Sequence, residues 1–462
     1  MDAVTTSTTD PRSTPLRAEH EALGATFTDF GGWWMPVRYS SDRAEHTAVR
    51  EAAGLFDISH MGEIVVTGRQ AGEFLDFALA GRLSAVTIGR AKYTMLLAED
   101  GGILDDLVVY RLGEEEFLVI ANAANRETVA AHLQERAGAF EVSVTDDSDT
   151  YALLALQGPA AVAILEDVIT TGAIRDLGLP LAEVKNYAWT SAYFLPGEDV
   201  GTAGHRNDLV LTATEGEAED APEVSGPLSP APLVVGEPES AHGTLTEGAH
   251  QGTAGARTGG QPATGEAGAG TTGGGSEFET TPLLLARTGY TGEDGFELYV
   301  PAEHAAALWR LLLSAGEPHG LVPAGLAARD TLRLEAGMPL YGHELSTDVV
   351  PAQAGLGRIV PADKGDFVGK AALEPRPEAR VLVGLVSEGR RAGRAGYAVR
   401  RGEHAVGEIT SGALSPTLGH PIALAYVDSD VAADPDAALT IDVRGTPVPA
   451  TLTTPPFYRR KS

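Results

Sequence analysis

Two hydrophobic periods alternate along the chain. "EIVVTG" (63–68) and "FLVIANAAN" (117–125) read as strands, the second running toward a helix start. "QAGEFLDFALAG" (70–81) and "NRETVAAHLQERAG" (125–138) space their apolar residues three and four apart and end at glycine, which predicts helices. "YALLALQGP" (151–159) is an apolar run closed by Gly-Pro, the pattern of a buried strand, and a helical "AAVAILEDVI" (160–169) follows. Strands alternating with helices over residues 16–195 predict an α+β or α/β region.

The pattern stops at 197–276. That stretch holds 18 glycines, 12 acidic residues, only two basic ones (Arg206 and Arg257) and no aromatic residue. Such a composition cannot bury enough apolar surface to offset its chain entropy, so a disordered acidic insertion is expected over about 196–279. "RNDLVLTATE" (206–215) is the one piece of it with some strand character. Folded patterning resumes with the strand "LLLART" (283–288), "FELYV" (296–300) and two helices, "AEHAAALWRLLLSAG" (302–316) and "AGLAARDTLRLEAG" (324–337). From about 379 the character changes again. Six short strand patterns separated by turn residues, from "ARVLVGLVSE" to "VPATLTT", predict a small antiparallel barrel over 379–462. The first 15 residues lack a basic start followed by an apolar run, and read as a disordered tail.

Charge and composition narrow the chemistry. The 462-residue chain carries a net charge of -30, about a third of it in the insertion, and a charge of that sign repels phosphate backbones. No nucleic-acid partner is expected. There is no cysteine, which removes thiolate nucleophiles and Cys-type metal sites. "YGHELS" offers a His-Glu pair without the second His of HExxH, so no metal is expected. No apolar run approaches the length of a membrane span, and a cytoplasmic protein is expected.

Three constellations stand out. In "AKYTMLLAEDGGILDDLVVYR" (91–111) two apolar runs flank "EDGG", which predicts a hairpin. Strand neighbours face opposite ways, so one of Asp105 and Asp106 points toward the interior, where it needs a cationic or hydrogen-bonding partner. "RTGYTGEDGFELYV" (287–300) has the spacing GxxGxxG and runs from strand to strand, so it offers no phosphate-binding helix start. Its glycines suit a tight backbone turn near a ligand, and Tyr290 could stack on a flat ring. In "GLAARDTLRLEAG" (325–337), Arg329 and Arg333 share a helix face flanked by leucines. A half-buried arginine there suits a carboxylate ligand, because its fork binds two oxygens.

"DISHMGE" (57–63), "GGILDDLVVY" (101–110), "ALQGP" (155–159), "RTGYTGEDGFEL" (287–298), "GLAARDTLRLEAG" (325–337), "GEITSGALSPTLG" (407–419) and "PPFY" (455–458) occur in order. Together they resemble the glycine cleavage T-protein family, over nearly everything outside the tail and residues 197–276. The resemblance implies a three-lobed folate-binding fold with a C-terminal β-barrel. It implies an aminomethyltransferase that uses tetrahydrofolate as co-substrate and a lipoylated H-protein as partner, without a metal. Carried over residue by residue, it makes Asp106 the catalytic aspartate facing the folate. Tyr93 and Tyr290 become ring contacts, Asn122 a polar contact to the pterin, and Glu297 the acid on the pterin edge. Arg329 falls near the folate tail, and Met61 and Tyr458 on the pocket wall. Two related functions fit less well. Residues 1–60 hold no strand–GxGxxG–helix unit of a flavin-linked demethylase, and the cysteine motif of a folate-binding assembly factor is absent. A scaffold whose acidic insertion binds partners would not need the site motifs.

Overall fold

A computed structural model describes residues 11–196, 280–373 and 379–460. Residues 197–279 of the predicted insertion, its strand-like piece at 206–215 and residues 1–10 of the predicted tail lie outside the described residues. Residues 11–15 are not a free tail. Arg12 exchanges backbone hydrogen bonds with Gly32 and Trp34, and Thr14 is buried, donating to Asp57 Oδ2 at 2.6 Å. Nothing local announces this, because the partners lie far along the chain.

The architecture is mixed α and β. One sheet has five strands, with Ala91–Leu97, Ile103–Arg111, Glu116–Ala121, Gly62–Thr67 and Ser143–Asp146 side by side. A second has seven, in which Gly295–Pro301 pairs with Thr281–Ala286 on one side and with Tyr151–Gln157 on the other. The predicted hairpin is the antiparallel pair Ala91–Leu97 and Ile103–Arg111. Residues 381–453 form a closed six-stranded barrel, as their turn-punctuated pattern predicts.

Strand alternation sorts the cores into layers. Leu107, Val109, Phe117, Val119, Ile64 and Val66 pack outward from the five-stranded sheet against helices Ala71–Ala78 and Arg126–Arg136. Phe296, Leu298 and Val300 pack outward from the seven-stranded sheet against helices Ala161–Thr170 and Ala305–Gly316. The opposite faces of the two sheets share a third core with Tyr110, Leu118, Ile120 and Tyr299, closed by Ala328 and Leu332 of helix Leu326–Glu335. That helix also reaches the barrel, where Leu334 packs with Ala413, Ile422 and Leu424. Among the described residues, no helix is long and apolar enough to cross a membrane.

Candidate functional site

The polar residues singled out from the sequence collect on the faces that the two sheets turn toward each other. In strand Ile103–Arg111, Asp105 shares the parity of Leu107 and Val109, so it faces the outer core. Asp106 shares the parity of Val108 and Tyr110 and faces inward. Asp106 is half-buried, and Asp105 is fully buried.

Asn122 ties the two carboxylates together. Its Nδ2 donates to Asp106 Oδ1 and to Asp105 Oδ1, both at 2.9 Å. Its backbone N–H donates to Asp105 Oδ2 at 2.9 Å, and Asn125 Nδ2 adds a bond to Asp105 at 2.7 Å. Tyr93 OH donates to Asp106 Oδ2 at 2.9 Å. Burial pushes both aspartates above the ordinary carboxylate range, and these donors oppose it. Asp105 is thus a buried anchor, while Asp106 is the carboxylate presented on the inner face.

Across from them stand Glu297, Tyr290 and Arg329. Glu297 and Phe296 face opposite ways, as expected, with Phe296 in the outer core. Glu297 Oε2 accepts from Thr288 Oγ1 at 2.5 Å and from Tyr110 OH at 3.3 Å. Burial raises its pKa, while Thr288, Arg329 and Tyr110 pull the other way. The Arg329 guanidinium lies 4.7 Å from the centre of the Tyr290 ring. Burial disfavours its charge, and among the described residues it makes no hydrogen bond or ion pair. Tyr290 is itself held, its hydroxyl donating to the Pro339 carbonyl.

The glycine spacing has local causes. Gly292 takes a φ of +79°, which favours glycine. A Cβ at Gly289 would overlap the side-chain amide of Gln157, which donates to Thr288 O at 3.1 Å. The turn therefore sits hard against its neighbours and delivers Thr288, Tyr290 and Glu297 to one side.

Two predicted residues are placed less centrally. Met61 is half-buried and packs against the inner core. Tyr458 has no hydrogen bond to Asp106 or Glu297 among the described residues. Its ring lies 4.0 Å from the Arg50 guanidinium, and its N–H donates to Glu335 O at 2.8 Å. The structure adds residues that the motifs alone do not single out. Tyr110 and Thr288 hold Glu297, and Tyr110 is within reach of a parity argument, four residues after Asp106. His60, 2% exposed, has no partner at Nδ1 among the described residues, and burial, with Arg329 nearby, lowers its pKa to about 4. Its signal is its place beside Met61 in "DISHMGE".

A surface groove lined by Glu166, Ile169, Leu177 and Leu181 holds none of these residues. It borders the outer core of the seven-stranded sheet and is not the site.

The family profile described as the GCVT N-terminal domain matches residues 16–192 and 272–364. That described as the glycine cleavage T-protein C-terminal barrel domain matches residues 380–459. The chain belongs to the glycine cleavage T-protein family. A curated aminomethyltransferase of Cutibacterium acnes is 48% identical to this T-protein-family chain over 452 residues, covering 97% of it and 99% of the relative. The aminomethyltransferase of Streptomyces coelicolor is 47% identical over 462 residues, covering 98% and 100%. The crystal structure of glycine cleavage system aminomethyltransferase T from Bartonella henselae is 31% identical, with a TM-score of 0.71 over 97% of this chain and 99% of that one. All eight site residues expected from the sequence fall inside the T-protein segments, and the match passes over residues 193–271.

Proposed function

We propose that this chain transfers the methylene carbon of an aminomethyl-lipoyl H-protein to tetrahydrofolate. The products are 5,10-methylenetetrahydrofolate, ammonia and dihydrolipoyl H-protein. The reading places the enzyme in the cytoplasm, with tetrahydrofolate as co-substrate and the H-protein as partner. The observation that carries it is the presentation of Asp106, held by Tyr93 and Asn122 on the inner face opposite Glu297 and Arg329.

The donor set fits a folate. A tetrahydropterin is flat, with N–H donors along one edge and a glutamyl tail. Glu297 is an acceptor for the edge, Tyr93 and Tyr290 are ring walls, and Arg329 is a fork for a tail carboxylate. Met61 and Asn122 line the same side, and Tyr458 forms the outer wall beside Arg50. The carbon to be moved bears both nitrogen and sulfur. One folate nitrogen attacks as the first of the two groups, ammonia or the thiolate, departs, and the second nitrogen closes the ring as the other departs. Each attacking nitrogen gains positive charge and gives up its proton to a departing group. A fixed carboxylate near the developing charge stabilises the transition state more than the ground state. That is the role assigned to Asp106.

Asp106→Asn keeps the shape and removes the charge. Ammonia release from aminomethylated H-protein in the presence of tetrahydrofolate should fall at least about tenfold, a barrier increase of about 1.4 kcal/mol. Folate affinity should change less. Asp105→Asn should act on the melting temperature, because it places amide hydrogens against the donors of Asn122 and Asn125. Wild-type turnover in Asp106→Asn would remove the assignment.

A further inference from the structure

Glu297 is gripped by a line of hydroxyl groups, and the order of their protons is constrained. Tyr299 OH donates to Tyr110 OH at 3.3 Å. Tyr110 OH lies 2.9 Å from Thr288 Oγ1 and 3.3 Å from Glu297 Oε2. Thr288 Oγ1 donates to that same Oε2 at 2.5 Å. Each hydroxyl owns one proton. Once Tyr299 gives its proton to the Tyr110 oxygen, the Tyr110 proton can only point onward, to Thr288 or to Glu297. The Thr288 proton then points at Oε2. The line ends on Oε2 as the acceptor of donated hydrogen bonds, which favours the ionised carboxylate against the burial that opposes it. Oε1 has no partner among the described residues. Tyr110 is fully buried and Tyr299 is 4% exposed, so water does not compete for these bonds.

We propose that Tyr110, backed by Tyr299, is a positioning residue that keeps Glu297 ionised, with Oε1 turned to the ligand. The site thereby offers one ionised oxygen to an N–H donor of the ligand, such as one on the edge of a tetrahydropterin. The inference rests on the folate reading above. The charged and titratable groups around Glu297 are Arg329, which favours its ionised form, and the phenols of Tyr110, Tyr187 and Tyr299. The Tyr110 hydroxyl is the one of these phenols that donates to the carboxylate.

The test is tetrahydrofolate affinity measured from pH 5 to pH 8 for the full chain and for Tyr110→Phe, Tyr299→Phe and Glu297→Gln. Tyr110→Phe should raise Kd about three- to tenfold at pH 7, the loss expected of one donor to a charged acceptor. The pH below which affinity falls should move upward, because the ionised form has lost support. Turnover at saturating folate should stay within about twofold, because the lost bond is made in ground state and transition state alike. Tyr299→Phe should move the same quantities less, and it carries the test should Tyr110→Phe melt early. If Glu297→Gln weakens binding while both phenylalanine variants keep the wild-type Kd and pH midpoint, the positioning role is overturned and the folate reading stands. If Glu297→Gln binds as wild type, both fall.

Discussion

The site and the joint between helix Leu326–Glu335 and the barrel are built from the same residue types and use them in opposite ways. At the joint, polar atoms are closed off by partners. Glu335 accepts from Ser415 and the Thr417 N–H at one oxygen, and from Arg50 and the Thr417 hydroxyl at the other. Burial pushes its pKa up, but His46, Ser415 and Arg50 together hold it down to about 2. Arg333 spends its fork on Asp330, Met338, Glu344 and Ser411. One helical turn earlier, Arg329 has, among the described residues, only the face of Tyr290. Glu297 likewise leaves one oxygen without a partner among the described residues. Two arginines four residues apart are thus a structural clamp and a candidate ligand contact, and the difference lies in what faces them.

The largest effect should come from breaking the joint. Arg333 and Glu344 pair at 2.9 Å with side chains 1% and 0% exposed, and Glu344 Oε1 is buried without a partner among the described residues. Removing the guanidinium strands that carboxylate. Arg333→Met should cost about 3–5 kcal/mol of stability, read as a depressed Tm. A Tm within a degree of wild type would mean that the joint does not depend on this pair.

Arg329→Ala should do the reverse, sparing the Tm and weakening tetrahydrofolate by about 1.5–3 kcal/mol, the range for a hydrogen bond to a charged group. A folate analogue without glutamyl carboxylates is the control, and its affinity should hardly move. Equal weakening of both ligands would turn Arg329 from a reader of the tail into a support of the wall.

These contrasts show what a sequence can and cannot convey. The barrel strands were legible because each is short, alternating and bounded by turn residues. Strand parity made one of Asp105 and Asp106 face inward once the hairpin was placed, but the choice of Asp106 came from the resemblance. The placement of Arg329 near Arg333 was legible as well, but not which of them is saturated, because Ser411 and Glu344 arrive from other parts of the chain. Glu297 and Tyr110 are 187 residues apart, so no local pattern could pair them. Thr14 and Asp57 are hidden for the same reason. The pocket-wall role expected of Tyr458 came from resemblance alone. The structure stacks its ring on Arg50, a contact that neither composition nor spacing foretells.

Glu63 offers the smallest effect and the sharpest challenge to the comparison. It has open bonding capacity like Arg329, yet it is 0% exposed, and neither carboxyl oxygen has a partner among the described residues. It shares the inward parity of Val65, within the layer of Tyr299. Burial raises its pKa well above 4.5, with Asp146 and Asp149 adding to the rise and Arg126 opposing it. The folded chain therefore keeps it protonated where the unfolded chain ionises it. Its contribution to stability is full below the unfolded value and is lost as pH rises from there toward the folded value. A tenfold difference in proton affinity between the two states corresponds to about 1.4 kcal/mol. Glu63→Gln cannot ionise, so it should melt with the wild type at pH 4 and above it at pH 8. Turnover should be unchanged, because a group sealed from solvent and ligand has nothing to offer either. A fall in turnover without a change in melting would show that open bonding capacity marks function in this protein even where nothing from outside can reach it.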